Sequence, residues 1–298
     1  MIEVEHLAKR YGGQTAVDDV SFRCEPGTIT GFLGPNGAGK STTMRMICGL
    51  TPPSAGSATV LETAYRELPN PGRHVGLLLD ASAQHKGRTG EEVLILAAEV
   101  LGGERARVAE LLDRVGLAGP AARKRVGAYS LGMRQRLGIA RALLGEPSVL
   151  ILDEPANGLD PEGIVWMRGL LRDFADRAGT VLLSSHLLRE IEAVADDLVV
   201  IGGGKVVAPG RMEELLAATG VLVRALDPRA LLRALDEVGL VGTPATGGGL
   251  LVDAPAEAVG RAAADAGVVL LELRPADGAG LEELFLTLTA GETIGEVA

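Results

Sequence analysis

The stretch that decides the fold is GFLGPNGAGKSTTMRM, residues 31–46. Part of it fits the phosphate-loop pattern G-x-x-x-x-G-K-[ST]. Glycines let the backbone turn so that its N–H groups face phosphate oxygens. Lys40 supplies a charge for the outer phosphates, and the Ser41 hydroxyl can hold Mg2+. The alternative is a glycine-rich turn that carries a lysine by accident, but an apolar run before it and a helical pattern after it favour a phosphate site. That site comprises Gly34, Pro35, Asn36, Gly37, Ala38, Gly39, Lys40, Ser41 and Thr42.

Composition limits the class of protein. The chain has 298 residues, 47% of them hydrophobic, which suits a sizeable core and two domains. An aromatic content of 3% and a net charge of −10 argue against a nucleic-acid partner. Cys24 and Cys48 suit a reducing compartment and have neither disulfide nor metal-site spacing. The charged start is no signal peptide, and no apolar run reaches the ~20 residues of a membrane span. We therefore expect a soluble or peripheral protein.

A second motif, SVLILD at 148–153 followed by Glu154, predicts a buried parallel strand whose end meets a ligand. Asp153 is placed to hold Mg2+, directly or through water. Glu154 is placed to orient or deprotonate a water molecule. The alternative is an acidic turn, but two adjacent carboxylates after an apolar strand are costly without a cation.

Three further candidates carry weaker signals. Ser130 is a good N-cap for the following helix, and with Gly132 nearby this end could bind an anion or be a plain capped helix. His186 follows a predicted strand at 180–184, where a structural and a catalytic histidine are equally plausible. Tyr11 could stack on an adenine ring or be an ordinary half-buried turn residue.

The rest of the chain indicates its organisation. Strands are predicted at 2–7 and 17–22, prolines and glycines predict a loop-rich region at 52–72, and helices predict an insert at about 80–145. The tail at 221–298 alternates three predicted strands with three helices, which indicates a small α/β domain with a ferredoxin-like arrangement as one candidate. It carries 12 acidic and 5 basic residues, a net charge of −7. This acidity suits either a solvated surface or a regulatory or dimer-stabilising role.

Together these motifs closely resemble those of the ATP-binding cassette (ABC) ATPases, the motor subunits of ABC transporters. The resemblance covers residues 1–220 and implies an α/β P-loop NTPase fold, with a mixed sheet core and a helical subdomain. The tail is similar to the accessory domain of ATPases paired with ABC-2 type permeases, including drug and antibiotic exporters. The matching motifs are 34–42 for Walker A, 149–153 for Walker B, Glu154 for the catalytic glutamate, 130–135 for the signature, 157–160 for the D-loop, His186 for the switch histidine and Tyr11 for the adenine-stacking aromatic.

Two positions depart from the family pattern. The signature usually reads S-G-G-x-x-Q, and here Leu131 replaces its first glycine while Gly132 remains. Asp80 stands where the family's Q-loop glutamine is expected, and Gln84 follows four residues later. An ionised Asp80 cannot donate a hydrogen bond but can ligate Mg2+. Either residue is a candidate for the nucleotide sensor.

The resemblance implies an enzyme that hydrolyses ATP with Mg2+. Two copies would meet head to tail, and Ser130 and Gly132 of one copy would close over the γ-phosphate held by Lys40, Ser41 and Thr42 of the other. The partner implied is a separate ABC-2 type membrane permease, which would keep the chain on the cytoplasmic face of the cell membrane. The alternatives are a soluble ABC ATPase that drives another machine and a regulatory module that binds ATP but hydrolyses it weakly.

Overall fold

The computed structural model describes residues 1–185, 188–216, 220–245, 248–275, 281 and 285. The chain divides into two compact units, the first formed by Met1–Met212 and the second beginning at Glu213. This change of unit falls earlier than the predicted boundary at 220. No helix within the described ranges is both long and apolar enough to cross a membrane.

A six-stranded sheet forms the centre of the first unit. Its strands pair in the order β5-β6-β7-β3-β8-β9, with every pair parallel except the last, β8 with β9. The strands β3 and β7 are buried along their whole length, which explains their continuous apolar runs. The strands are β3 (Ile29–Leu33), β5 (Val75–Leu78), β6 (Val149–Asp153), β7 (Thr180–Ser185), β8 (Asp197–Gly202) and β9 (Lys205–Arg211).

A second, antiparallel sheet has the strand order β2-β1-β4, formed by β1 (Ile2–Tyr11), β2 (Gln14–Cys24) and β4 (Ala55–Val60). The hairpin is longer than the predicted strands, because bulges interrupt the alternation of β1. The loop-rich prediction at 52–72 is wrong for β4. The small residues of β4 show no alternation of apolar and polar side chains, so they do not predict a strand. They form one because they pair with β1. Gly56 has φ +76°, and a Cβ there would lie 2.1 Å from the His6 carbonyl oxygen.

Side chains cap the starts of three helices of the first unit, α2, α5 and α6. Thr89 and Glu92 form a capping box at α2, Ser130 caps α5, and Asp160 caps α6 just before Pro161. The helices α2 to α5 occupy the segment for which the sequence predicts a helical insert. The helices of this unit are α1 (Lys40–Ile47), α2 (Gly90–Leu101), α3 (Ala106–Arg114), α4 (Pro120–Arg123), α5 (Leu131–Leu143), α6 (Pro161–Asp176) and α7 (Leu188–Glu192). The helix α8 (Met212–Leu216) begins where the chain passes into the second unit.

One hydrophobic core joins the two sheets of this unit and the inner face of α1. The rings of Phe22 and Phe32 lie 5.3 Å apart between their centroids, so the antiparallel sheet packs on the central one. Met44 and Ile47 of α1 are fully buried in the same core. This packing fixes the helix that begins at the phosphate loop.

The second unit is a four-stranded antiparallel sheet with the strand order β11-β12-β10-β13. This order and the βαββαβ succession are those of a ferredoxin-like arrangement. The short strand β11 is absent from the sequence-based prediction, since its three residues carry no pattern of their own. The predicted helix at 281–289 lies mostly outside the described residues. The elements are β10 (Val221–Ala225), α9 (Pro228–Glu237), β11 (Gly242–Pro244), β12 (Leu250–Val252), α10 (Ala256–Asp265) and β13 (Leu270–Pro275).

Candidate functional site

The candidate site lies where the carboxyl ends of three neighbouring parallel strands meet. The strand β3 runs into the phosphate loop, and β6 ends at Asp153. The strand β7 lies between them and pairs Ser184 with Asp153. Ligand sites of open α/β sheets form at this edge, outside the carboxyl ends of the strands.

The phosphate loop requires glycine for two reasons. Gly37 and Gly39 adopt φ values of +85° and +104°, in the region that favours glycine. A Cβ at Gly34 would lie 2.4 Å from the Ile201 carbonyl oxygen, and one at Gly39 would lie 2.6 Å from that of Ala16. The loop therefore passes close to its neighbours and ends at the first turn of α1, whose N–H groups favour an anion.

Lys40 is buried at the start of α1, with 7% of its surface exposed. Its ammonium donates to the carbonyl oxygens of Gly34 and Pro35 at 2.6 and 3.1 Å. Burial lowers the pKa of Lys40, while the charges of Glu154 and Asp153 oppose that shift. The structure thus holds a cation within the loop, where phosphate oxygens can replace the carbonyl partners.

The Ser41 hydroxyl donates to the Asp153 carboxylate, with 2.6 Å between Oγ and Oδ2. A hydroxyl and a carboxylate are oxygen ligands of the kind that Mg2+ accepts. Among the residues that the structure describes, no group of three or more His, Cys, Asp or Glu could hold a metal ion. The Ser41 hydroxyl and the Asp153 carboxylate nevertheless fit Mg2+. This ion keeps several waters and binds through one or two carboxylates together with substrate phosphates.

Glu154 follows Asp153 with φ +51°, which is unusual for a residue other than glycine. Its backbone N–H donates to the Ser184 hydroxyl at 3.1 Å and to the Ser184 carbonyl at 3.2 Å. Its own carbonyl accepts from the Gln135 side chain at 3.0 Å. The sequence-based prediction gave Ser184 no role, and it included Gln135 in the signature motif without a contact to Glu154. The sequence shows Ser184 as a polar residue directly after the apolar run of a buried strand, which marks it as a candidate site residue. Its contact with Asp153 could not be predicted, because it depends on β6 being the neighbouring strand.

The structure brings the predicted signature motif against the predicted D-loop of the same chain. The Ser130 hydroxyl caps α5 by accepting from the Met133 N–H at 3.2 Å. A Cβ at Gly132 would lie 2.7 Å from the Gly158 carbonyl oxygen, and Leu131 packs directly on Gly158. Leu131 remains 39% exposed, so the start of α5 is also accessible from outside the chain.

The sensor candidates near β5 occupy different environments. Asp80 caps the short turn Ala81–Ala83, where its Oδ1 accepts from the Ser82 N–H at 2.7 Å. Hydrogen bonds from Ser82 lower the pKa of Asp80. Gln84 is buried and donates to the Arg134 carbonyl at 3.1 Å, which connects it to α5. The Mg2+ role of Asp80 stays a prediction.

Tyr11 stands apart from this cluster of contacts. Tyr11 ends β1 with 52% of its surface exposed, and the Lys9 ammonium lies 5.0 Å from its ring centroid. An exposed ring is able to stack on a base, and that role stays a prediction. His186 lies outside the described residues.

This fold and site define a phosphate-loop nucleotide-binding protein, and comparison with known proteins gives its family. Residues 17–157 match the family model described as ABC transporter. A second model, described as an AAA domain and putative AbiEii toxin, matches residues 124–192. The chain is 42% identical over 208 residues to the bacitracin transport ATP-binding protein BcrA of Bacillus licheniformis, covering 69% of this chain and 68% of that one. The chain therefore belongs to the ATP-binding subunits of ABC transporters.

Other relatives agree with this assignment. The daunorubicin resistance ATP-binding protein DrrA3 of Streptomyces coeruleorubidus is 41% identical, over 74% of this chain and 71% of its own. The lantibiotic transport ATP-binding protein SrtF of Streptococcus pyogenes is 36% identical, over 70% and 89%. A solved ATP-binding subunit of an ABC transporter is 31% identical, with a TM-score of 0.67 over 72% of this chain and 91% of that one. The predicted family and mixed-sheet P-loop fold are confirmed, and the chain is an ABC ATPase.

Proposed function

We propose that this chain hydrolyses MgATP to power an exporter of drug-like or antibiotic molecules through a separate membrane permease. The proposal rests on four residues that lie together at one edge of the sheet, Lys40, Ser41, Asp153 and Glu154. Ser41 is hydrogen-bonded to Asp153, and the charges of Asp153 and Glu154 act on Lys40. The relatives that transport bacitracin and lantibiotics, or confer daunorubicin resistance, favour export. They also favour a transporter over a soluble ATPase that drives another machine.

In the proposed reaction, the phosphate loop binds ATP and the Lys40 ammonium moves from its carbonyl partners to the outer phosphate oxygens. Glu154 accepts a proton from water as the water oxygen bonds to the γ-phosphorus. The bond from that phosphorus to the bridging oxygen of ADP breaks, and ADP and phosphate leave. Ser41 and Asp153 would hold Mg2+, which supplies positive charge against the phosphates, and Asp80 is a further candidate ligand. We propose that His186 stabilises the negative charge that develops on the γ-phosphate.

The proposed active form is a head-to-tail dimer. Ser130 and Gly132 of one copy close over the γ-phosphate bound by the other, and Tyr11 stacks on the adenine. Dimeric cassettes are among the solved structures that share this fold, one of them bound to ADP and phosphate at 22% identity and a TM-score of 0.65. The outward-facing Leu131 beside the capped start of α5 supports such a contact.

The proposed partner is an ABC-2 type permease, which would hold the chain at the cytoplasmic face of the membrane. We propose that the helical insert at about 80–145 passes the movement of the dimer to this permease. Leu96 and Val100 of α2 are 40% and 82% exposed and border an open groove of about 400 Å³ that also includes Gln84. Exposed apolar side chains on one helix support a protein contact there. The second unit, at 221–298 in the sequence-based division, is proposed as an accessory domain.

The proposal is tested by affinity purification of tagged Glu154→Gln from native membranes with MgATP present. This variant binds ATP without hydrolysing it, so we expect it to hold the closed dimer together with a multi-span membrane protein. Lys40→Ala, which removes the phosphate contact, is the matched control and should release that partner. Recovery of soluble proteins alone, or of the dimer without a membrane protein, would contradict the exporter function.

Steady-state ATPase assays separate an enzyme from a passive nucleotide-binding module. Wild type should hydrolyse ATP at least a hundredfold faster than Glu154→Gln, since removal of a catalytic base costs roughly 10²–10⁴ in rate. Nucleotide binding should persist in both proteins. Equal, near-zero rates in the presence of the recovered permease would favour a regulatory module.

A further inference from the structure

Ser184 is a fully buried residue of β7 whose hydroxyl makes two hydrogen bonds at the candidate site. Its Oγ donates to Oδ1 of Asp153 at 2.5 Å and accepts from the backbone N–H of Glu154 at 3.1 Å. The other carboxylate oxygen of Asp153 accepts from Ser41. One hydroxyl therefore joins the carboxylate assigned to Mg2+ with the backbone of the assigned catalytic base.

The backbone of Glu154 needs such support. Its φ of +51° is a conformation that residues other than glycine adopt at a cost, and surrounding contacts must maintain it. Ser184 binds the N–H of Glu154 from β7, while Gln135 binds its carbonyl from α5 at 3.0 Å. The peptide groups on both sides of the Glu154 Cα are thus held by buried side chains from two different elements.

We propose that Ser184 is a positioning residue for ATP hydrolysis, which fixes the Asp153 carboxylate and the Glu154 backbone relative to one another. Its hydroxyl contacts the Asp153 carboxylate and the Glu154 backbone, and it acts through these two residues. The inference rests on the proposed hydrolytic function. Its consequence is that loss of the hydroxyl slows the chemical step, where Glu154 acts, more than it weakens ATP binding, which depends on the phosphate loop.

The test compares Ser184→Thr with Ser184→Val in the full chain. These two variants have the same shape and differ by the hydroxyl, so their difference isolates the hydrogen bonds. We expect Val to lower kcat roughly tenfold or more relative to Thr, because hydrogen bonds to charged groups are the strong ones. The KM for ATP should stay within about twofold, and the concentration of Mg2+ that gives half-maximal rate should rise.

A purely structural role of Ser184 would not lower kcat while leaving the KM for ATP nearly unchanged. If Thr and Val have equal kcat, or if the whole loss lies in KM for ATP, Ser184 is not a positioning residue. If the added methyl group unfolds both variants, Ser184→Ala replaces them, since it adds no atoms, and its kcat is compared with wild type at equal folded fraction. Failure of the proposed function is distinct, because wild type would then show no hydrolysis above Glu154→Gln.

Discussion

At the scale of the residue, the site depends on a few buried polar side chains that hydrogen bonds hold in place. Lys40 is the clearest case, since its ammonium is held by two carbonyl oxygens of its own loop. This arrangement keeps the cation in place before phosphate arrives, so that little side-chain entropy remains to be lost on binding.

Replacing Lys40 with Ala should weaken ATP binding roughly tenfold to a hundredfold, the loss expected for a charge-assisted hydrogen bond. Titration calorimetry with ATP measures the effect. Lys124→Ala removes the same charge from an exposed position and should leave the Kd unchanged. Equal affinity of Lys40→Ala and wild type would show that phosphate binding does not use this ammonium.

Both thiols should be unreactive in the native protein. Burial raises the pKa of Cys24 and of Cys48 to about 12, so roughly one thiol in ten thousand is ionised at pH 8. A colorimetric disulfide reagent should label neither cysteine in buffer and both in denaturant. Rapid labelling of either one without denaturant would contradict the buried environment.

At the scale of the element, the start of α5 and the turn before α6 form one packed unit. Leu131 packs on Gly158, whose φ is +77°, so the leucine at the predicted signature position fills space above a glycine of the predicted D-loop. Gln135 extends the contact of α5 to Glu154. The helix α5 therefore contacts both Gly158 and the residue that follows β6 within its own chain.

Gly158→Ala should destabilise the protein by about 1–3 kcal/mol, because its φ is unfavourable for alanine and a Cβ would lie 2.5 Å from Leu131 Cγ. Urea unfolding of Gly158→Ala, Leu131→Ala and the double variant measures the coupling. Leu131→Ala should recover part of the loss. Additive effects of the two substitutions would show that these side chains do not interact.

Gly169 of α6 is the matched control for this substitution. It is exposed, and a Cβ there would meet nothing within 4 Å. Gly169→Ala should therefore stabilise the protein by about 0.5–1 kcal/mol through helix propensity. A loss of stability at this position would mean that the helix surface there is not open.

At the scale of the whole molecule, the chain contains two units, and the predicted nucleotide contacts of the described residues belong to the first. Binding stabilises the native state by RT ln(1 + [L]/Kd), about 2.7 kcal/mol at a hundred times Kd. We expect this stabilisation to slow local opening most in the segments that contact the ligand.

Hydrogen exchange of the full chain with and without MgATP tests this expectation. Protection should increase at the phosphate loop and at the end of β6, and stay unchanged in β10 and β12. Lys40→Ala at the same ATP concentration is the control and should show a much smaller increase. Stronger protection of the second unit than of the phosphate loop would indicate that its fold binds nucleotide.

The sequence by itself determined the phosphate loop, the carboxylates after the strand at 148–153, the family and the mixed-sheet class. These features are contained in single segments, where spacing along the chain dictates the chemistry. Lys40 and Ser41 are neighbours in the loop by covalent connection, and Asp153 and Glu154 follow an apolar strand that must be buried. No knowledge of other segments is needed to interpret them.

Only the tertiary structure decided which distant segments become neighbours. Ser184 meets Asp153 because β7 lies beside β6, and Gln135 meets Glu154 because α5 packs against the end of that strand. The strand β4 likewise forms because β1 offers it a free edge. Hydrogen bonds between strands and packing between helices depend on positions in space, and a one-dimensional pattern carries that information only weakly.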